Sequence, residues 1–292
     1  MRWMITDSGL GGLSVCAGLE RILTQLKPDP GIELLYINAT PDDLLGYNSL
    51  KVQAERVDLF DRFLKATYSR YTPDKIVIAC NTLSVIYAET GFAHNSPVEV
   101  KGIVAAGVQL SKANLEQSQN DGIIIFATET TTEANTYPRL INIAASRMVA
   151  QACPELAHAI SNDSSGAACR KLLTNYVSEA MRCYDPAPES LFAFLGCTHY
   201  GYQAELFIEI LESHGVKAKI LNPNDLLVQQ LVAQHDLKLK RSKNRFKIQF
   251  ISRYSIPQVE IDSMESYLKN SAPLTLAALQ HQTVVPDLFQ PL

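Results

Sequence analysis

The chain has 292 residues, enough for one large domain or two smaller ones with a sizeable core. Hydrophobic residues make up 47% and charged residues 19%, the balance of an ordinary soluble globular protein. The formal net charge of −4 gives no general attraction to nucleic acid or to an anionic membrane. No apolar run approaches the roughly 18 residues of a membrane span.

Strand and helix patterns alternate along the chain. Residues 2–6 read as a strand that turns polar at Asp7, too early for a secretory leader, so a cytoplasmic location is expected. A loop at 7–12 and a helix at 13–26 follow, the helix stopped by Pro28 and Pro30. Residues 33–37 form the next strand. Ser49 is placed to cap a long helix with Val57, Phe60 and Leu64 on one face. Residues 75–79 are a strand leading into Cys80. Pro97 and Gly102 mark a change of unit near residue 97.

The scheme then repeats. Residues 122–127 are a strand running into a polar loop at 128–133, and 148–152 a short strand before Cys153-Pro154. A helix at 166–183, a turn at 185–188 and a strand at 191–195 come next. A helix at 202–214 stops at Gly215, a residue suited to a left-handed cap. Then come a strand at 217–221, a helix at 225–234, a strand at 247–251 and a helical tail before Pro286. Such alternation implies parallel sheets covered by helices, an α/β fold with ligands bound beyond the strand ends. The expected division is 1–97 with 215–292 as a first domain and 98–214 as a second.

Two apolar runs end in a small residue and a cysteine: Ile76-Val77-Ile78-Ala79-Cys80-Asn81-Thr82 and Phe192-Ala193-Phe194-Leu195-Gly196-Cys197-Thr198-His199. They suggest a thiol on either side of one substrate. A cysteine between a buried strand and a helix meets free N–H groups and the positive helix end, which favours thiolate. Asn81 and Thr82 add donors suited to a carboxylate. Packing at a tight turn is an equally good reading of Cys80 taken alone. His199 is placed to assist Cys197. A zinc site there lacks a further cysteine or histidine at ligand spacing, and an acyl-transfer nucleophile would need only one cysteine. The chain has six cysteines and no CxxC, so disulfides are not expected. Cys16, Cys169 and Cys183 read as packing residues, and Cys153 is assigned no role.

Asp7 and Ser8 end the first strand, where a carboxylate could orient an ammonium or tune a thiol. Gly9, Gly11 and Gly12 would let backbone approach a ligand. Neither a P-loop nor a GxGxxG is formed. The threonines at 128–132 could clamp a carboxylate or simply cap the next helix.

Taken together, these segments resemble the glutamate racemase branch of the aspartate/glutamate racemase superfamily. Asp7-Ser8-Gly9-Leu10-Gly11-Gly12-Leu13-Ser14 is similar to its N-terminal motif. Ala79-Cys80-Asn81-Thr82 and Leu195-Gly196-Cys197-Thr198-His199-Tyr200 are similar to its two catalytic motifs. Ala127-Thr128-Glu129-Thr130-Thr131 with Tyr137, Ala152-Cys153-Pro154, the stretch from Pro97 to Gly107 and residues 221–231 fall in family order, so the resemblance spans nearly the whole chain. It implies two similar parallel-sheet domains with helices on both faces and the active site in the cleft between them. It also implies an isomerase: a cofactor-independent amino-acid racemase, with Cys80 and Cys197 as the two acid–base groups, Asp7 assisting Cys80 and His199 assisting Cys197. Ser8, Asn81, Thr82, Thr131 and Thr198 would hold the substrate's α-carboxylate and ammonium. No cofactor or metal is implied. The partner would be a small amino acid or related carboxylate, with no nucleic acid or membrane and with a homodimer compatible. The D-amino acid would serve peptidoglycan and the cell wall.

The chain also departs from the family pattern. The usual Pro-Tyr-Gly turn is replaced by residues 38–48, which keep only Gly46-Tyr47. Ser161 stands near where a glutamate is usual, Gly201 where proline is usual, and Thr130 where glycine is common. Other readings on the same scaffold are a lyase or isomerase acting on another carboxylate, and a non-catalytic ligand-binding protein.

Overall fold

Among the residues described by the computed structural model (1–26, 31–42, 46–117, 120–163, 166–184, 188, 190–234 and 246–290), ten strands form two wholly parallel sheets. The strands are β1 (Arg2–Asp7), β2 (Glu33–Asn38), β3 (Lys75–Ile78), β4 (Glu99–Gly102) and β5 (Gly122–Ala127). They continue with β6 (Met148–Ala152), β7 (Ser190–Gly196), β8 (Lys217–Leu221), β9 (Lys247–Ser252) and β10 (Thr283–Val284). The first sheet runs β10-β9-β2-β1-β3-β4 and the second β6-β5-β7-β8. The segment β2-β1-β3-β4 has the same order as β6-β5-β7-β8. Cys80 and Cys197 therefore follow strands of equivalent station, β3 and β7.

Side-chain alternation explains the layers. On β1, Trp3 and Ile5 face one way, onto Leu13, Leu19 and Leu23 of the helix Leu13–Leu26. Met4 faces the other way, onto Phe60, Phe63 and Leu64 of the helix Gln53–Tyr71. The second sheet repeats this. Ile124 and Phe126 pack with Leu173 and Phe207, while Ile123 and Ile125 pack with Leu115 and Tyr137. Both sheets are thus covered on both faces, which is why their strands read as continuous apolar runs.

Strand pairing shifts both expected domain crossings. β4 pairs with β3 and so belongs to the first sheet, beyond residue 97. β8 pairs with β7 and belongs to the second, beyond residue 215. Pro97 and Gly215 each precede one more strand of the sheet already under way. The chain then leaves the first sheet through the helix Ile103–Leu115 and the second through the helix Pro223–Ala233. These two crossing helices pack together, and Gln230 donates to Gln109 Oε1 at 2.8 Å.

Several local expectations change. Ser49 closes a short 3₁₀ turn, Tyr47–Ser49, and the long helix starts only after Val52, with no side-chain cap. Cys183 is exposed in the turn after the helix Ala167–Met181. Residues 198–203 form a 3₁₀ segment ahead of the helix Ala204–Ser213, and Gly215 does take a positive φ of 81°. Pro28, Pro30 and most of the turn at 185–188 lie outside the described residues. No described helix is long and apolar enough to cross a membrane.

A buried acid anchors the tail. Glu20 accepts bonds from the backbone N–H groups of Leu274 and Thr275 at 2.9 and 2.8 Å and from the Thr275 hydroxyl at 2.7 Å. It caps the helix Pro273–Gln280 from outside. Glu20→Ala should lower the free energy of unfolding by about 3 kcal/mol in urea titration, since charged hydrogen bonds in a dry site are lost.

Candidate functional site

The carboxyl ends of β1 and β3 face those of β5 and β7. In both sheets this is where strand order reverses, the place an open parallel sheet offers a ligand. The loop after β1 runs against the residues after β7. A Cβ at Gly11 would stand 2.3 Å from Thr198 Oγ1 and 2.5 Å from His199 Nδ1. The close approach that requires glycine here is to the chain's own Thr198-His199, not to a ligand.

Asp7 is buried at the centre of this contact. Thr198 Oγ1 donates to its carboxylate at 2.7 Å. The N–H groups of Ser8 and Gly12 and the Cys80 thiol are bonded to it as well. Burial raises its pKa from 3.8 to about 6, against the pull of those bonds.

Cys80 caps the helix Asn81–Ile86, its sulfur accepting from the Leu83 N–H at 3.4 Å and lying 3.1 Å from Ser8 Oγ. The expected thiolate is not favoured: burial, and then the charge of Asp7, push the thiol well above its ordinary range. Six residues of helix do not offset the loss of water. Burial likewise pushes Cys197 up to about 12. Its sulfur lies 3.7 Å from His199 Nδ1. Burial takes His199 down to about 4, so the imidazole is neutral at pH 7 and free to accept a proton. Each thiol thus sits beside its own proton acceptor.

Around the sulfurs runs a line of hydroxyls and amides. Thr82 bonds to Thr128 (2.9 Å between hydroxyls), which donates to Thr131 at 3.0 Å. Thr128 also caps the helix Glu129–Glu133, so what reads as a polar loop is helical, with Thr130 and Thr131 buried. Tyr137 donates to Asn81 Oδ1, which leaves the buried Asn81 Nδ2 without a partner. A buried amide N–H₂ held this way by its own oxygen is a ready carboxylate donor.

Sequence reasoning held Thr128 only as part of a candidate clamp at 128–132 and Tyr137 only as part of the resemblance, and it did not single out Asn224. Asn224 Nδ2 donates to Ser14 Oγ at 2.8 Å and to the Thr198 carbonyl at 3.1 Å, tying the loop after β7 to the first helix. Only the threonine cluster left a local signal in the sequence. Outward from these groups opens a cleft of about 380 Å³, whose wall includes Ser8, Thr128, Cys153 and His199. Cys80 and Cys197 are only 4% and 7% exposed. Among the described residues no cluster of His, Cys, Asp or Glu could hold a metal ion.

No family model matches the chain. Over 272 residues it is 26% identical to the glutamate racemase of Sulfurovum sp., covering 88% of this chain and 91% of that one. With the glutamate racemase of Levilactobacillus brevis it shares 28% over 233 residues, 78% and 76% of the two chains. The solved glutamate racemase of Francisella tularensis, in complex with D-glutamate, superposes with a TM-score of 0.68 at 25% identity, over 92% and 93% of the chains. The RacE1 isoform of Bacillus anthracis has the same fold, with a TM-score of 0.69 at 19% identity over 91% and 93%.

The chain is similar to glutamate racemases over most of its length. It is accordingly an enzyme, an isomerase of the amino-acid racemase kind. Some of its departures from the family pattern fall on the cleft. Ser161 lines the wall, as do Gly46 and Asn48 of the altered turn, while Tyr47 turns inward and stacks edge-on against Phe60. Gly201 leaves room for the Asn222 amide, which a Cβ there would approach to 3.1 Å.

The raised pKa of Asp7 makes a stability prediction. Between about 4 and 6 the folded state binds the proton and the unfolded state does not, so acidification through this window stabilises the fold. Relative to Asp7→Asn, the wild type should gain up to about 3 kcal/mol from pH 7 to pH 4, measured by urea titration at each pH. Turnover should fall over the same window as Asp7 loses its capacity to accept the Cys80 proton.

Proposed function

We propose that this protein interconverts the enantiomers of an α-amino acid without a cofactor, Cys80 and Cys197 acting on opposite faces of Cα. The observation that carries the reading is the pairing of each buried thiol with a separate proton acceptor: Asp7 at Cys80 and His199 at Cys197. A binding protein has no need of that arrangement. Glutamate, for which the relatives are named, is the first substrate to consider.

The α-carboxylate is received by Asn81 Nδ2 and the hydroxyls of Thr82 and Thr131, and the ammonium by Asp7 and Ser8. Thr198 fixes the carboxylate of Asp7. In one direction the Cys80 thiol passes its proton to Asp7, and the thiolate so formed takes the α-proton. The carbanion-like centre then takes a proton from the Cys197 thiol on the other face. The cycle closes when Asp7 releases its proton and Cys197 regains one. In reverse, His199 receives the Cys197 proton and the two thiols exchange roles. A Cα–H is a far weaker acid than a thiol, so fixed donors at the carboxylate and exclusion of water must stabilise the transition state. Both thiols being neutral at rest suits this, because a permanent thiolate in so dry a site would be strongly destabilised.

The test is loss of the α-proton NMR signal in D₂O. Cys80→Ala should retain exchange with one enantiomer and Cys197→Ala with the other, while racemisation falls by at least about 100-fold in both. If one variant loses exchange with both enantiomers and the other loses neither, a one-base lyase or isomerase replaces this reading.

A further inference from the structure

We propose that Arg56 is a positioning residue of the cleft: it joins the loop after β2, which supplies one wall, to the helix after β5, which supplies the facing one, and so sets the space that receives the side chain of the bound amino acid. This rests on the racemase reading, since it concerns the far end of the same ligand.

The loop after β2 is fixed at two points. Tyr47 is buried against Phe60, with ring centroids 6.2 Å apart. Three residues on, the Leu50 carbonyl accepts from Arg56 Nε at 2.8 Å. The helix Gln53–Tyr71 begins without a side-chain cap, and Arg56, in its first turn, folds back to hold the chain that enters it. Held in this way, the loop lends Gly46, Asn48 and Ser49 to the cleft wall.

The other end of the guanidinium reaches across. Arg56 Nη1 donates to Glu133 Oε2 at 3.2 Å. Glu133 ends the helix Glu129–Glu133, whose cap Thr128 and first residue Glu129 line the same cleft, and whose Thr131 is bonded to Thr128. The ion pairs Arg2–Glu33, Lys75–Glu99 and Arg170–Glu209 each tie neighbours within one half of the molecule. Arg56–Glu133 passes from one half to the other. Arg56 does not itself line the cleft, so it acts through the two segments it holds.

Burial makes this placement exacting. The Arg56 side chain is 7% exposed and that of Glu133 64%. A guanidinium so far from water is costly unless its donors are met, so its two acceptors dictate where it lies. The exposed carboxylate, by contrast, can be neutralised without leaving a polar group stranded in the core, which lets the crossing be cut apart from the fold.

The experiment is steady-state racemisation by the full chain, with whichever amino acid of a D and L panel with side chains longer than alanine's turns over fastest. Glu133→Gln should raise KM about fivefold while kcat stays within about twofold and the urea midpoint is unchanged. Alanine, as substrate or competitive inhibitor, should bind wild type and variant equally, because its methyl group is too short to sense the wall. Arg56→Lys, which keeps the charge but loses the forked geometry, should also raise KM, and the double variant should exceed the larger single effect by less than their product. An unchanged KM in Glu133→Gln, an equal loss for alanine, or a KM rise that comes with a lowered urea midpoint overturns the proposal and leaves the racemase reading in place. A folded wild type that exchanges no amino acid overturns both.

Discussion

One buried hydrogen bond, from Thr198 to Asp7, holds the site together. It joins the end of β1 to the residue after Cys197, and so fixes the first sheet's carboxylate against the second sheet's thiol. It forms only because the loop after β1 comes closer to Thr198 and His199 than any side chain at Gly11 would allow. Asn224 braces the same place from behind, through the Thr198 carbonyl. A carboxylate in so dry a position would be ruinous alone. Four donors around it make it tolerable, and what remains of the desolvation is seen in a pKa near neutrality.

That residual penalty is what gives the site its chemistry. A carboxylate at its ordinary pKa would be a poor partner for a thiol proton, whereas one near 6 is better matched to it. His199 is driven the opposite way by the same burial, which leaves an uncharged but weakly basic imidazole beside a neutral thiol. Dryness, not a ready-made thiolate, is the shared cause. The helix dipole behind Cys80 is a minor influence beside it.

Legibility followed burial and range. Fully buried parallel strands are uninterrupted apolar runs, so Ile76–Ile78 and Phe192–Leu195 announced themselves and carried Cys80 and Cys197 with them. β4 did not, because Glu99 and Lys101 leave it half-exposed and without an apolar signature. The helices Asn81–Ile86 and Glu129–Glu133 are too short to show a helical period. Asp7, Ser8 and His199 could be picked out because each adjoins a strand end. Tyr137 and Asn224 act at a distance along the chain, through one hydrogen bond each to Asn81 and Thr198, and no local pattern encodes such a contact. The thiolate expectation failed for a related reason, since sequence shows which element a cysteine follows but not how little water reaches it.

The two helices that carry the chain between the sheets, Ile103–Leu115 and Pro223–Ala233, lie side by side. Two connections gathered in one place behave as the spine of a book. The cleft lies where the two covers meet, and both sulfurs are almost sealed there. Because each thiol belongs to a different cover, neither sheet alone carries the pair, and the site exists only where the two are held together.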